Sequence, residues 1–355
     1  MRKKLVFLLV TLFVAGSLLI GCGTAQQPAV TEEKPAEEKP IEEKPAAVEK
    51  KQISILTGST GGTYFALGGS MANTWNNYSE LVQVTSQPSG ASVENMNRLH
   101  AGEVELGMAM NNIADDAWNG RGAFKEKQQN FRTVAVIYPE VYQGVALADS
   151  KINSLADVKG KRVAVGPVGS GTVVLTEAVF AEAGLTFNDV KAAYDGFGDA
   201  SGKMKDGHLD AAFNVLSVPA AAITDIQLTR EINIIEIGDE LYSKIKAKHP
   251  FFSQYIIPAG TYGNKEDVKT INCQAALYVQ KDVPEEIVYE LTKIWVEKAG
   301  EVANAHGAAK WLSDELAAGN KDALLAGLTT PLHKGAYKYF QEQGIAVPEA
   351  IKPID

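Results

Sequence analysis

The chain has 355 residues, 45% hydrophobic and 22% charged, a composition that excludes an intrinsically disordered or fibrous protein. Setting aside the ends and a linker leaves about 300 residues, enough for two domains of ordinary size. The formal charge of −9, with no Lys/Arg block beyond the N-terminal segments, excludes a nucleic-acid partner, which needs a basic stripe over the phosphates.

The N-terminus reads as an address. Arg2, Lys3 and Lys4 precede an apolar run over residues 5–20 that is short for a mature membrane-spanning helix. It ends in Leu19-Ile20-Gly21-Cys22, which resembles the bacterial lipobox, in which the cysteine takes a diacylglycerol and becomes the first residue after cleavage. Residues 1–21 are therefore expected to be a lipoprotein signal peptide, and Cys22 the lipidation site. Acyl chains would hold the protein on the outer side of the cell membrane without a transmembrane helix. With Cys22 consumed, Cys273 has no partner, so no disulfide framework is expected, and its apolar neighbours mark it as a small core residue.

Residues 22–51 are expected to be a tether. The run repeats Glu-Glu-Lys-Pro at 32–35, 37–40 and 42–45. Regular prolines block a continuous helix, and nothing apolar is present to offset the entropy of ordering. The low-complexity part reaches about 87 Å if extended at ~3.1 Å per residue.

From Gln52 onward, short β-prone runs alternate with helical patterns. Strands are expected at 53–56, 81–85 and 105–110. Gly58-Ser59-Thr60-Gly61-Gly62-Thr63-Tyr64 follows the first, and Pro88-Ser89-Gly90-Ala91-Ser92 the second. The same order recurs with strands at 162–165, 190–194 and 210–213. Here the loops are Gly166-Pro167-Val168-Gly169-Ser170-Gly171-Thr172 and Asp195-Gly196-Phe197-Gly198-Asp199. Gly58 and Pro88 stand as far apart as Gly166 and Gly196, so the two stretches read as α/β lobes of one plan. The β-prone residues 133–147 and 271–279 would cross between the lobes as hinge strands, and the helical segment from Glu285 should return to the first lobe. The fold expected is α/β and two-lobed. Lobe 1 covers 52–138, lobe 2 covers 139–265, and 266–355 returns to lobe 1 with the C-terminal helices.

Four strand–loop–helix corners point to a cleft, because ligands of open α/β sheets sit beyond the carboxyl ends of the strands. Helix N-termini carry orphan N–H groups and partial positive charge, and the glycines admit a ligand to the backbone. Ser59, Thr60, Thr63, Ser89, Ser92, Ser170 and Thr172 add hydroxyls, each of which is equally suited to capping its own helix.

Enzyme motifs fall short. Residues 166–173 have the glycine spacing of a Walker A loop without its lysine, and 169–174 begin like a dinucleotide fingerprint but end in valine. No Gly-x-Ser-x-Gly elbow appears, and the five histidines show no metal-ligand spacing. No catalysis, cofactor or metal is expected.

Five motifs in order then carry a family resemblance. They are the 55–65 stretch Ile-Leu-Thr-Gly-Ser-Thr-Gly-Gly-Thr-Tyr-Phe, Ser-Gly-Ala-Ser-Val-Glu-Asn at 89–95, Tyr138-Pro139-Glu140, Val-Gly-Pro-Val-Gly-Ser-Gly-Thr at 165–172, and Ile-Pro-Ala-Gly-Thr-Tyr at 257–262. Together they resemble the TAXI family of solute receptors of tripartite ATP-independent periplasmic (TRAP) transporters. The resemblance implies a type II periplasmic-binding-protein fold with hinge strands between the lobes, in a receptor that closes on a small carboxylate, either a glutamate-like amino acid or a 2-oxo or dicarboxylic acid, and delivers it to a TRAP-type membrane subunit. It also implies ligand contacts from Ser59, Thr60, Gly62, Thr63, Tyr64, Ser89 and Ser92 in one lobe, and from Gly169, Ser170, Gly171 and Thr172 in the other. Asn111 and Asn214, after the third strand of each lobe, are placed to hydrogen-bond a polar ligand. Tyr138 and Glu140 sit at the crossover, where Glu140 is either a partner for a ligand ammonium or a rim residue. Tyr142, Phe197 and Phe213 are candidate walls. No arginine falls in the corners, so helix N-termini and hydroxyls would carry charge recognition. A sensory lipoprotein that presents ligand occupancy to a signalling partner is the alternative function.

Overall fold

The computed structural model describes residues 49–354, so the signal peptide, Cys22 and most of the tether lie outside the described residues. In chain order the first half runs β1 (Lys51–Leu56), α1 (Thr63–Tyr78), β2 (Val82–Gln87), α2 (Ser92–Ala101), β3 (Leu106–Met110) and α3 (Asn111–Asn119). The long β4 (Phe131–Leu147) follows, then β5 (Arg162–Ala164), α4 (Gly171–Glu182), β6 (Lys191–Ala193), α5 (Phe197–Lys205), β7 (Ala211–Leu216) and α6 (Ala221–Gln227). Next come β8 (Ile232–Ile235), α7 (Asp239–Lys248), β9 (Ser253–Ile257) and a second long strand, β10 (Val268–Gln280). The chain ends in α8 (Glu285–Glu297), α9 (Ala299–Ala305), α10 (Lys310–Ala317) and α11 (Lys334–Glu342).

All ten strands join one sheet, ordered β2-β1-β3-β10-β4-β7-β5-β6, with β8 on β4 and β9 on β10. Each half has its first strand between its second and third, all parallel, as βαβ units produce. The repeated plan read from the sequence is thus a repeated topology. β4 and β10 are antiparallel to each other and bridge the halves. β10 pairs β3 at one end and β9 at the other, while β4 pairs β10 and then β7. This is the two-lobed α/β architecture of a type II periplasmic-binding-protein fold.

The ladder of the crossing strand is interrupted by its sequence. Ile137 is bulged out of the β4–β10 ladder, and Pro139, which has no N–H to give, follows two residues later. A bulge and a proline two residues apart interrupt the ladder of a strand that is otherwise continuous. β4 is buried along nearly its whole length, which matches its apolar run and helix cover on both sheet faces. The helices after β10 pack on α1, where the indole N–H of Trp75 donates to the Leu291 carbonyl at 2.9 Å. Among the described residues no helix is long and apolar enough to cross a membrane.

Candidate functional site

All four corners converge on one enclosed cavity. Its lining takes Gly58, Ser59, Gly62, Thr63 and Tyr64 from the loop after β1 and the start of α1, and Ala91 and Ser92 from the start of α2. Ser170, Gly171 and Thr172 come from the start of α4, and Phe197 from α5. Tyr138 and Glu140 of β4 form the floor, and Met110, Val215 and Leu216 complete the wall. The volume is about 20 Å³, room for on the order of one water, so the halves are closed on each other.

Closure is made by helix N-termini capped from the opposite half. The Val93 and Glu94 amides at the start of α2 donate to the Gly169 carbonyl at 3.0 and 3.1 Å. The Gly198 amide of α5 donates to the Thr60 carbonyl at 3.2 Å, and the Phe197 amide to Ser59 Oγ at 3.4 Å. Thr63 Oγ1 accepts from the Ser217 amide at 3.1 Å and lies 3.1 Å from Ser217 Oγ. Gly171 has no room for a side chain, since a Cβ there would stand 2.2 Å from Met110 Sδ and 3.1 Å from Ser92 Oγ, both in the other half. Ala91 is a non-glycine residue at φ 75°, a conformation that L residues adopt at a cost and that clusters at functional sites.

Glu140 is 3% exposed. Tyr64 donates its hydroxyl to Glu140 Oε2 at 2.7 Å and Tyr138 donates to Oε1 at 3.3 Å. Burial pushes the carboxyl up to about 8, against the opposing pull of the two tyrosine hydrogen bonds. Burial also raises Tyr64 and Tyr138 well above the usual phenol range, so both stay protonated donors. No lysine, arginine or histidine lines the cavity. The arginines are engaged elsewhere: Arg98 with Glu94 and Glu103, Arg121 with Asp115 and Asp116, Arg162 with Asp210, and Arg230 with Asp149. Arg132 lies over the Trp118 ring. Among the described residues no cluster of three or more His, Cys, Asp or Glu is arranged to hold a metal.

Ten of the fifteen residues expected at the site therefore line the cavity: Ser59, Gly62, Thr63, Tyr64, Ser92, Tyr138, Glu140, Ser170, Gly171 and Thr172. Thr60 and Gly169 stand at the closure contacts, where they offer carbonyls. Ser89 is tied to its own loop, donating to Asn95 Oδ1 at 2.7 Å and accepting from the Ala91 amide at 3.0 Å. The Asn111 amide donates to the Gly327 carbonyl at 2.7 Å and its Oδ1 accepts from the Gln274 amide at 3.2 Å, which joins α3 to the C-terminal segment. Asn214 is inside β7, buried, with its amide near the Gln143 and Ala212 carbonyls. Ser170 Oγ caps α4 by accepting from the Val173 amide at 3.1 Å. Among the candidate walls, Phe197 lines the cavity, while Tyr142 and Phe213 stack in the core at 5.6 Å between centroids. Sequence reasoning passed over Ser217. It follows the third strand of its half as Asn111 follows the third strand of the other, but only because β7 runs on to Leu216, past the end read from the sequence.

A family model described as the NMT1-like family matches residues 55–344. Among solved structures, a protein from Bordetella bronchiseptica is 17% identical, with 85% of this chain and 91% of that one covered at a TM-score of 0.49. The periplasmic aliphatic sulphonate binding protein from Escherichia coli is 15% identical, with 85% and 90% covered and a TM-score of 0.42. A putative L-cystine ABC transporter protein from Listeria monocytogenes is 17% identical, with 75% and 95% covered and a TM-score of 0.44. The expectation of a TAXI receptor with a TRAP-type membrane subunit is corrected by the family match, which over residues 55–344 is to the NMT1-like family. The physical reason lies in what the motifs encode. Their glycines and hydroxyls shape helix N-termini around a cleft, and nothing in that shape specifies which transporter receives the solute.

Proposed function

The chain belongs to the NMT1-like family, and from that premise we propose that it is an extracytoplasmic solute-binding protein that closes its two lobes on a small carboxylate. The observation that carries this reading is the convergence of four helix N-termini and their hydroxyls on one cavity between the halves. The donors of α2 and α5 are spent on closure. The first-turn amides of α1 and α4, at Thr63, Tyr64, Gly171 and Thr172, remain for an anion, each set at the positive end of its helix. Low-dielectric walls of Met110, Phe197, Val215 and Leu216 strengthen that attraction. A solute enters as the lobes part, and these apolar side chains shift outward to seat it.

In this reading the lobes are 52–138 and 139–265, with 266–355 returning to the first, and β4 and β10 flex between them. Cys22 carries the lipid, residues 22–51 let the receptor range from its anchor, and a membrane transporter takes the solute onward. Thermal-shift screening of the purified protein against small carboxylates and amino acids tests the proposal. A solute at ~100 times its Kd should add about 2.7 kcal/mol of stability. No stabilisation by any small carboxylate would refute it.

A further inference from the structure

The cleft carries more than an anion site. We propose that the solute bears an ammonium beside its carboxylate, that it is an α-amino acid rather than a 2-oxo or dicarboxylic acid, and that Glu140 receives the ammonium. This rests on the receptor reading above.

Glu140 is the one carboxylate among the cavity-lining residues, and no basic side chain stands with it. A buried carboxylate without a cation is costly, and an apolar residue at this point of β4 would pack better. The elements around it supply no positive charge. Tyr64 faces it from α1, Tyr138 from its own strand, and Cys273 is its ladder partner on β10, all of them neutral groups. The tyrosines donate one hydrogen bond to each carboxyl oxygen, which fixes the group and leaves further lone pairs free for a cation's N–H donors. A zwitterion then matches the cavity in both signs, with its carboxylate on the first turns of α1 and α4 and its ammonium on Glu140. A dicarboxylate would bring a second anion up to Glu140 with nothing to neutralise it.

With no solute bound, the carboxyl holds its proton up to about pH 8. An ammonium favours the ionised form and lowers that value, so below pH 8 the carboxyl releases its proton to solvent as the amino acid enters. Affinity for the amino acid therefore rises with pH until the carboxyl is already ionised in the unliganded protein.

The test is calorimetric titration with matched pairs: L-glutamate against 2-oxoglutarate, L-alanine against pyruvate, and L-leucine against 4-methyl-2-oxopentanoate. In at least one pair the amino acid should bind tenfold or more tighter than its 2-oxo counterpart. At pH 6.5 its heat should vary with buffer ionisation enthalpy, as proton release requires. Glu140→Gln should abolish the preference. A 2-oxo acid as tight as its amino acid in every pair that binds overturns this inference and leaves the receptor reading standing, as does Glu140→Gln with wild-type affinity for the amino acid. If the variant does not fold, the wild-type pairs decide alone. If neither member of any pair binds, this inference falls, and the receptor reading falls with it only when no small carboxylate stabilises the protein in the thermal-shift screen.

Discussion

Replacing Asn95 with leucine should cost about 3 kcal/mol of stability, measured by urea denaturation of the unliganded protein. Asn95 is fully buried, in the first turns of α2. Its amide donates to the carbonyls of Thr57 and Met108, both at 2.8 Å, and its Oδ1 accepts from Ser89 Oγ at 2.7 Å. One side chain thus pins the carboxyl end of β1, the middle of β3 and the loop before α2, the three pieces that make one wall of the cleft. Leucine has a similar volume and no donor. Two buried carbonyls lose a partner at about 1–3 kcal/mol each, and Thr57 keeps part of its satisfaction from Ser89 at 3.2 Å. A loss below about 1 kcal/mol would mean that these carbonyls are satisfied without Asn95.

Replacing Gly90 with alanine should weaken solute binding by about 30-fold, equivalent to about 2 kcal/mol, while the melting temperature without solute stays within about 2 °C. A Cβ on Gly90 would stand 2.7 Å from the Val168 carbonyl oxygen, which belongs to the backbone of the opposite lobe. It would also stand 2.8 Å from Glu94 Oε2, which accepts from the Gly90 amide at 2.7 Å and has to turn aside, as the end of a flexible, half-exposed side chain can. Gly90 is not among the positive-φ glycines, so its backbone conformation accepts alanine. The new methyl therefore obstructs closure without obstructing folding. Titration calorimetry and scanning calorimetry on the same variant separate the two effects. Unchanged affinity would mean that the lobes do not meet at Gly90 and Val168 when solute is bound.

Much of the fold was legible in the chain, because each structural link has a local cause. The six strands of the two repeated halves appear within a few residues of their expected places, since β-prone runs bounded by glycine loops leave few alternatives. The corners were legible for the same reason. What could not be read were contacts that exist only because two halves approach. Gly169 accepting from α2, Thr63 meeting Ser217, and Met110 filling the space beside Gly171 depend on the angle between the lobes, which no local pattern records. Asn214 illustrates a smaller miss. The third strand of its lobe was expected to end at Phe213, but β7 runs on to Leu216, so Asn214 lies inside the strand and Ser217 takes the place beyond it. Glu140 was visible as an acid at the crossover. That it is buried with tyrosines and no cation came only from tertiary structure. The transporter partner was misread for a different reason: the loops describe a cleft, and they carry no record of the surface that docks on a membrane protein.

The central claim is that a small carboxylate is held between the lobes by helix N-termini. A crystal structure of the protein grown with the solute that stabilises it most tests this directly. The account predicts the solute's carboxylate within hydrogen-bond reach of the first-turn amides of α1 and α4, between Thr63 and Thr172. A solute seated outside the interlobe cleft, for instance in the surface groove by Trp311 and Lys321, would contradict it.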